Sequence, residues 1–132
     1  MESIFMNATD FSPKIEASKA KEDRTFELRI YTEFAGKVPD ILARFKNHTT
    51  KIFEKHGMTN IAYWTSIKKD TTQAKLYYIL AFPSEEAGKK SWEDFRKDPE
   101  WLKVRDESEK SGKIVEKVES TYMKPTAFST IR

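Results

Sequence analysis

The chain has no cysteine, which removes disulfides, thiol catalysis and thiolate-bound metals from consideration. It leaves the compartment open, because a cysteine-free domain is stable on either side of a membrane. Histidine is nearly as scarce: His48 and His56 stand eight positions apart, whereas a helical pair sharing one metal ion is spaced i and i+4. Only four glycines occur, and they form neither a phosphate-cradling loop nor a nucleophile elbow, so no cofactor or metal is implied. No apolar run approaches the ~18 residues that span a bilayer. The opening MESIFMNATDFSPK carries acids and no long apolar core, unlike a signal peptide. An excess of one charge is also missing: 24 basic and 21 acidic side chains interleave, as in KKSWEDFRKD. That is the pattern of solvated helix faces, whereas nucleic-acid binders cluster Lys and Arg along one face.

What remains is a chain of 132 residues with 13% aromatic side chains, enough for one domain with a real core. Phe26–Glu33 alternates Phe26, Leu28 and Ile30 with Glu27, Arg29 and Tyr31, the period of a half-buried strand. Gly36 turns the chain, Pro39 suits a first helical position and Asp40 the first turn, where the helix dipole favours an acid. Ile41, Leu42, Phe45, Thr49, Ile52 and Phe53 then repeat at the spacing of one apolar helix face, and Gly57 is a natural stop. Ile61–Lys69 reads as a second strand, Asp70–Gln73 as a turn, and Lys75–Phe82 as a third strand apolar enough for burial on both faces. Ser84 caps a helix with Glu85 and Glu86 in its first turn. Asp98 and Pro99 break that helix and start a shorter one. Ser111 and Gly112 end it, and Lys113–Met123 alternates as a fourth strand.

The order βαββαβ is that of the ferredoxin-like α+β fold with an antiparallel sheet. One helical layer covers one sheet face, and an apolar second face calls for a partner. FELRIYT, the helix ARFKNHTTKIFEKHGM and AYWT resemble the NIPSNAP family closely, and Pro125–Ser129 resembles its P-T-x-F-S ending with Ala127 where an acid is common. The resemblance spans about residues 24–129. It implies a dimeric α+β barrel: a homodimer, or a pseudo-dimer with an upstream repeat. It implies no settled reaction.

The two ends of the chain also resemble each other. Glu2, Ser3, Met6, Thr9, Phe11 and Ser12 match Glu119, Ser120, Met123, Thr126, Phe128 and Ser129 without a gap, 117 residues apart. Fixed-offset similarity of this kind marks repeats. The expectation is that residues 1–23 are the tail of a preceding unit plus a linker, EASKAKED, and that residues 24–132 are the C-terminal unit of a tandem protein. Such a tail is expected to be mobile or to dock on a neighbouring chain.

Candidate ligand-binding residues follow from chemistry and position. His48 lies three after Phe45 and four before Ile52, a spacing that turns it toward the helix-covered sheet face as a core-edge histidine, a ligand contact or a base. His56 at the helix end is a charge–dipole contact. Arg29 and Tyr31 point away from Leu28, toward the interface of a barrel, where Arg29 can grip a carboxylate. An ion pair with Glu27, Glu33 or an acid of the fourth strand would occupy it instead. Tyr63, Trp64, Tyr78 and Trp92 either pack the core or line an apolar pocket between helices and sheet. Three functions stay open: a non-enzymatic domain that assembles through its sheet and binds a small apolar or aromatic ligand, a cofactor-free monooxygenase or isomerase using His48, and a pure assembly module.

Overall fold

A computed structural model describes residues 3–18, 22–67 and 74–132; the turn expected at Asp70–Gln73 lies outside them. The elements are β1 (Met6–Ala8), β2 (Thr25–Glu33), α1 (Val38–Arg44), a π-helical turn (Phe45–Thr49), α2 (Thr50–Lys55), β3 (Thr59–Ser66), β4 (Lys75–Phe82), α3 (Glu85–Lys97), α4 (Pro99–Ser108) and β5 (Val115–Met123). The strands form one antiparallel sheet in the order β1-β3-β4-β2-β5. Without β1 this is the ferredoxin-like βαββαβ arrangement. A single chain leaves the sheet open and does not close a barrel.

Local chemistry sets the boundaries. Pro39 enters α1 at its first turn, and Gly57 adopts a φ of 78° just past α2, the left-handed conformation that glycine takes without strain. Ser84 Oγ accepts from the backbone N–H of Ala87, and Asp98 Oδ1 accepts from that of Glu100, so each helix of the broken pair has its own N-cap. Asp98 does more than cap: its Oδ2 receives Lys55 Nζ at 2.5 Å and His56 Nε2 at 2.6 Å. The Lys55 hydrogen bond, with that of His56, overcomes burial and holds the Asp98 carboxyl at about 2. His56 therefore ties the end of α2 to the α3–α4 junction.

The π turn sets the direction of His48. Its i→i+5 hydrogen bonds widen the helix by one residue, and the hydroxyls of Thr49 and Thr50 back-bond the carbonyls of Arg44 and Phe45 at 3.2 and 3.1 Å. Ile41, Phe45, Thr49, Ile52 and Phe53 are buried, as their spacing predicts, and His48 is exposed. The expected inward orientation of His48 rested on a regular helix, and the inserted residue rotates it off that face. On α3, Gly88 permits close approach to β4, since a Cβ there would lie 2.9 Å from the Phe82 ring.

The N-terminal segment belongs to this sheet. Met6, Asn7 and Ala8 pair with Ser66, Thr65 and Trp64, and Phe11 packs 5.2 Å from Tyr63, ring centre to ring centre. Residues 6–12 thus dock on their own chain, where a mobile tail or a neighbour's surface was expected.

Candidate functional site

Along β2 the alternation separates two rows, and the structure places them opposite to expectation. Glu27, Arg29 and Tyr31 lie on the helix-covered face, aligned with Leu80, Tyr78 and Leu76 of β4. Phe26, Leu28 and Ile30 lie on the open face with Ala81, Ile79 and Tyr77. The helices can cover a charged row because the charges satisfy each other. Glu27 is 1% exposed; its Oε1 accepts from Trp92 Nε1 at 2.6 Å, and its Oε2 from Ser120 Oγ at 2.5 Å and Arg29 Nη1 at 3.0 Å. Arg29 donates from Nε to the Tyr78 hydroxyl at 2.9 Å and from Nη2 to that of Tyr31 at 3.3 Å, and Tyr78 donates on to Tyr31 at 2.8 Å. The guanidinium also lies 4.0 Å from the centre of the Trp92 ring, a desolvated cation–π contact worth about 2 kcal/mol.

Burial opposes the guanidinium charge, yet the oxygens of Tyr78 and Tyr31, with Glu27, outweigh it, and Arg29 holds its proton more firmly than usual. Burial pushes the Tyr78 and Tyr63 hydroxyls well above the ordinary phenol range, so both remain neutral donors. Every guanidinium nitrogen already donates within the chain. The cluster is a closed polar centre inside an aromatic layer, and it positions β2, β4, β5 and α3 against one another.

Around it the rings are packed in contact. Tyr63 stacks on Tyr78 at 5.1 Å, Phe45 meets Tyr63 at 5.7 Å, and Phe53 meets Trp92 at 5.3 Å. Of the residues expected to line one pocket, Arg29, Tyr31, Tyr63, Tyr78 and Trp92 come together, as core. Trp64 does not join them: it pairs with Tyr77 on the open face, with the sheet between it and Trp92. His48 opens onto a third place, a groove of about 380 Å3 between the α1–α2 rod and α4, lined by Asp40, Asn47, Glu107 and Ser108 among others. Arg44, at the base of that groove, is 6% exposed. It reaches Ser108 Oγ at 3.3 Å and Glu109 at 3.7 Å and lies over Trp101, and burial lowers its pKa.

The open face carries the apolar groove. About 260 Å3 of space lies between Phe26, Ile61, Ile79 and Met123 and the C-terminal residues Pro125 and Ile131. Those last residues cross the sheet, held by Ser18, whose N–H donates to the Thr130 carbonyl at 3.0 Å, and by Arg24 Nε, which donates to the Arg132 carbonyl at 2.9 Å. Sequence reasoning missed Ser120, Arg44 and this groove. The Glu27–Arg29 spacing on one strand face was the available signal for the polar centre. The groove depends on a tail without periodicity and had none.

The NIPSNAP family model matches residues 26–130. Among solved structures, the chain is similar to a NIPSNAP family protein of unknown function from Agrobacterium tumefaciens C58, with 21% identity, a TM-score of 0.69, and coverage of 86% of this chain and 97% of that one. A second NIPSNAP family protein from the same organism aligns at 18% identity and a TM-score of 0.70, covering 90% of this chain and 100% of the other. An uncharacterised NIPSNAP domain protein from Burkholderia xenovorans aligns at 23% identity and 0.64, covering 80% and 97%. At these identities the likeness establishes the fold alone. No curated protein matches the chain.

Proposed function

The chain belongs to the NIPSNAP family, a family of unknown function, and we propose that it is an assembly domain that pairs through the open face of its sheet with a second domain of its kind. In this reading the groove beside Phe26 and Ile79 holds a small apolar or aromatic ligand, enclosed once the partner covers it. The observation that carries the reading is the open face itself. Leu28, Ile30, Ile61 and Ile79 remain part-exposed there, and Pro125 and Ile131 border the groove beside Ile61 and Ile79. A contiguous apolar surface of this kind is where partners bind, and a concave apolar site with a few polar rim groups is where small ligands bind. The groove of His48 is lined largely by polar and charged side chains, which does not favour an aromatic substrate at that histidine.

Native mass spectrometry of the full chain tests both parts. The expected result is a dimer with a reproducible added mass, converted by Ile79→Glu to a monomer without it. A monomeric wild type, or a dimer indifferent to Ile79→Glu, would overturn the assembly reading. A dimer lacking added mass would remove the ligand.

A further inference from the structure

The repeated ends of the chain have one fate in common and one that differs. Each forms the same turn: Ser12 N–H donates to the Thr9 carbonyl at 3.2 Å, and Ser129 N–H to the Thr126 carbonyl at 3.0 Å. In both, phenylalanine sits at the tip, as Phe11 and Phe128. The first copy is seated. Thr9 N–H donates to the Tyr63 carbonyl at 3.0 Å, Ser12 Oγ accepts from Tyr63 N–H at 2.9 Å, and Phe11 packs against the Tyr63 ring. Asp10 adds an ion pair to Lys46 at 2.6 Å. The second copy has Thr126, Phe128 and Ser129 at the matching positions, with Ala127 in place of Asp10, yet Phe128 is 88% exposed.

We infer that the β3 edge and its Tyr63 slot form a receptor for the Met-x-x-Thr-x-Phe-Ser segment of a second copy of this domain, Met123–Ser129, and that Met6–Ser12 occupies that receptor from within the same chain. The topology permits the exchange. β5 lies at the sheet edge opposite β1 and pairs with β2 on one side only, so its outer side is available to the β3 of another copy. The two segments are unequal competitors, because Ala127 stands where Asp10 makes its ion pair and because Met6–Ser12 is tethered beside the slot. Hence the internal segment acts as a resident plug, and loosening it favours the intermolecular strand pairing. This rests on the assembly reading and adds to it the segment that does the docking.

Disulfide trapping tests it, in a chain with no cysteine of its own. Asn7 pairs with Thr65, and Lys124 is the repeat counterpart of Asn7, so Thr65→Cys and Lys124→Cys are combined. Within one chain these positions are separated by β4 and β2, roughly 14 Å at ordinary strand spacing, too far for a disulfide. The expected result is a cross-linked dimer, enriched several-fold by Phe11→Ala, enriched less by Asp10→Ala, and lost on adding Phe128→Ala. The Asp10→Ala variant alters only an exposed ion pair, so it keeps the test valid if Phe11→Ala unfolds. No cross-link in either background, or one that survives Phe128→Ala, would overturn the inference. A dimer in native mass spectra without that cross-link would leave the assembly reading standing and reject this docking.

Discussion

On the covered face of the sheet, Tyr31, Tyr63 and Tyr78 lie in ring contact around a buried Arg29–Glu27 pair; on the open face, one residue away along the same strands, Leu28, Ile30 and Ile79 are aliphatic and part-exposed. The covered face is finished within the chain. Its polar groups find partners there and its rings fill the layer. The open face is apolar without being filled, and its groove is bounded by a tail whose exposed Phe128 has a seated twin in Phe11. Substitutions on the first face are therefore expected to change folding stability, and substitutions on the second to change assembly. Ile79→Glu probes the second face directly; substitutions at Glu27, Glu33 and Thr49 probe the first.

The largest loss is expected at Glu27. Removing one partner of a buried charged pair leaves the other uncompensated, which costs about 3–5 kcal/mol. Glu27→Ala strips Arg29, Trp92 and Ser120 of an acceptor at once. Urea unfolding should show the loss with an unchanged denaturant slope. A change below about 1 kcal/mol, the level of an exposed ion pair, would mean that the covered face is not a closed polar centre.

Glu33, at the end of the same row, sharpens the comparison through pH. It is 2% exposed, and burial pushes its carboxyl up to about 7 from 4.5, with the backbone N–H groups of Glu33 and Leu76 acting against the rise. A carboxyl raised in the folded state holds more protons there than in the unfolded chain. Stability must therefore fall as pH rises from about 4.5 to about 7, and the penalty is complete above that. Its upper bound is on the order of 3 kcal/mol. Glu33→Gln should match the wild type near pH 4.5 and exceed it at pH 8, measured as the difference in unfolding free energy. An equal difference at both pH values would rule out the raised carboxyl.

Much of the fold was legible because its punctuation is local. Gly57, Ser84 and the Asp98–Pro99 pair each fix a boundary by conformation or capping, and the period of β2 and the apolar run of β4 are plain. Two things were not legible, for separate physical reasons. Alternation shows that a strand has two faces but not which one the helices cover; Arg29 and Glu27 read as outward until their mutual pairing is known. And periodicity assumes one helix pitch, which the π turn at Phe45–Thr49 alters through i→i+5 bonds that leave no simple pattern in sequence.

The smallest effect follows from that altered pitch. On a regular helix His48 shares the covered face with Phe45 and Ile52, and truncating it would cost what a core side chain costs, about 2 kcal/mol or more. With the π turn, Thr49 keeps its buried position and His48 stands exposed over the α4 groove. His48→Ala should then change stability by less than about 0.5 kcal/mol and leave assembly intact. Thr49→Ala should cost more, about 1 kcal/mol, because it removes a buried hydroxyl that donates to the Arg44 backbone carbonyl. The pair of neighbouring substitutions reads the helix phase directly: if the order of their effects were reversed, His48 would belong to the covered face, and the division between a closed face and an assembling one would have to be redrawn.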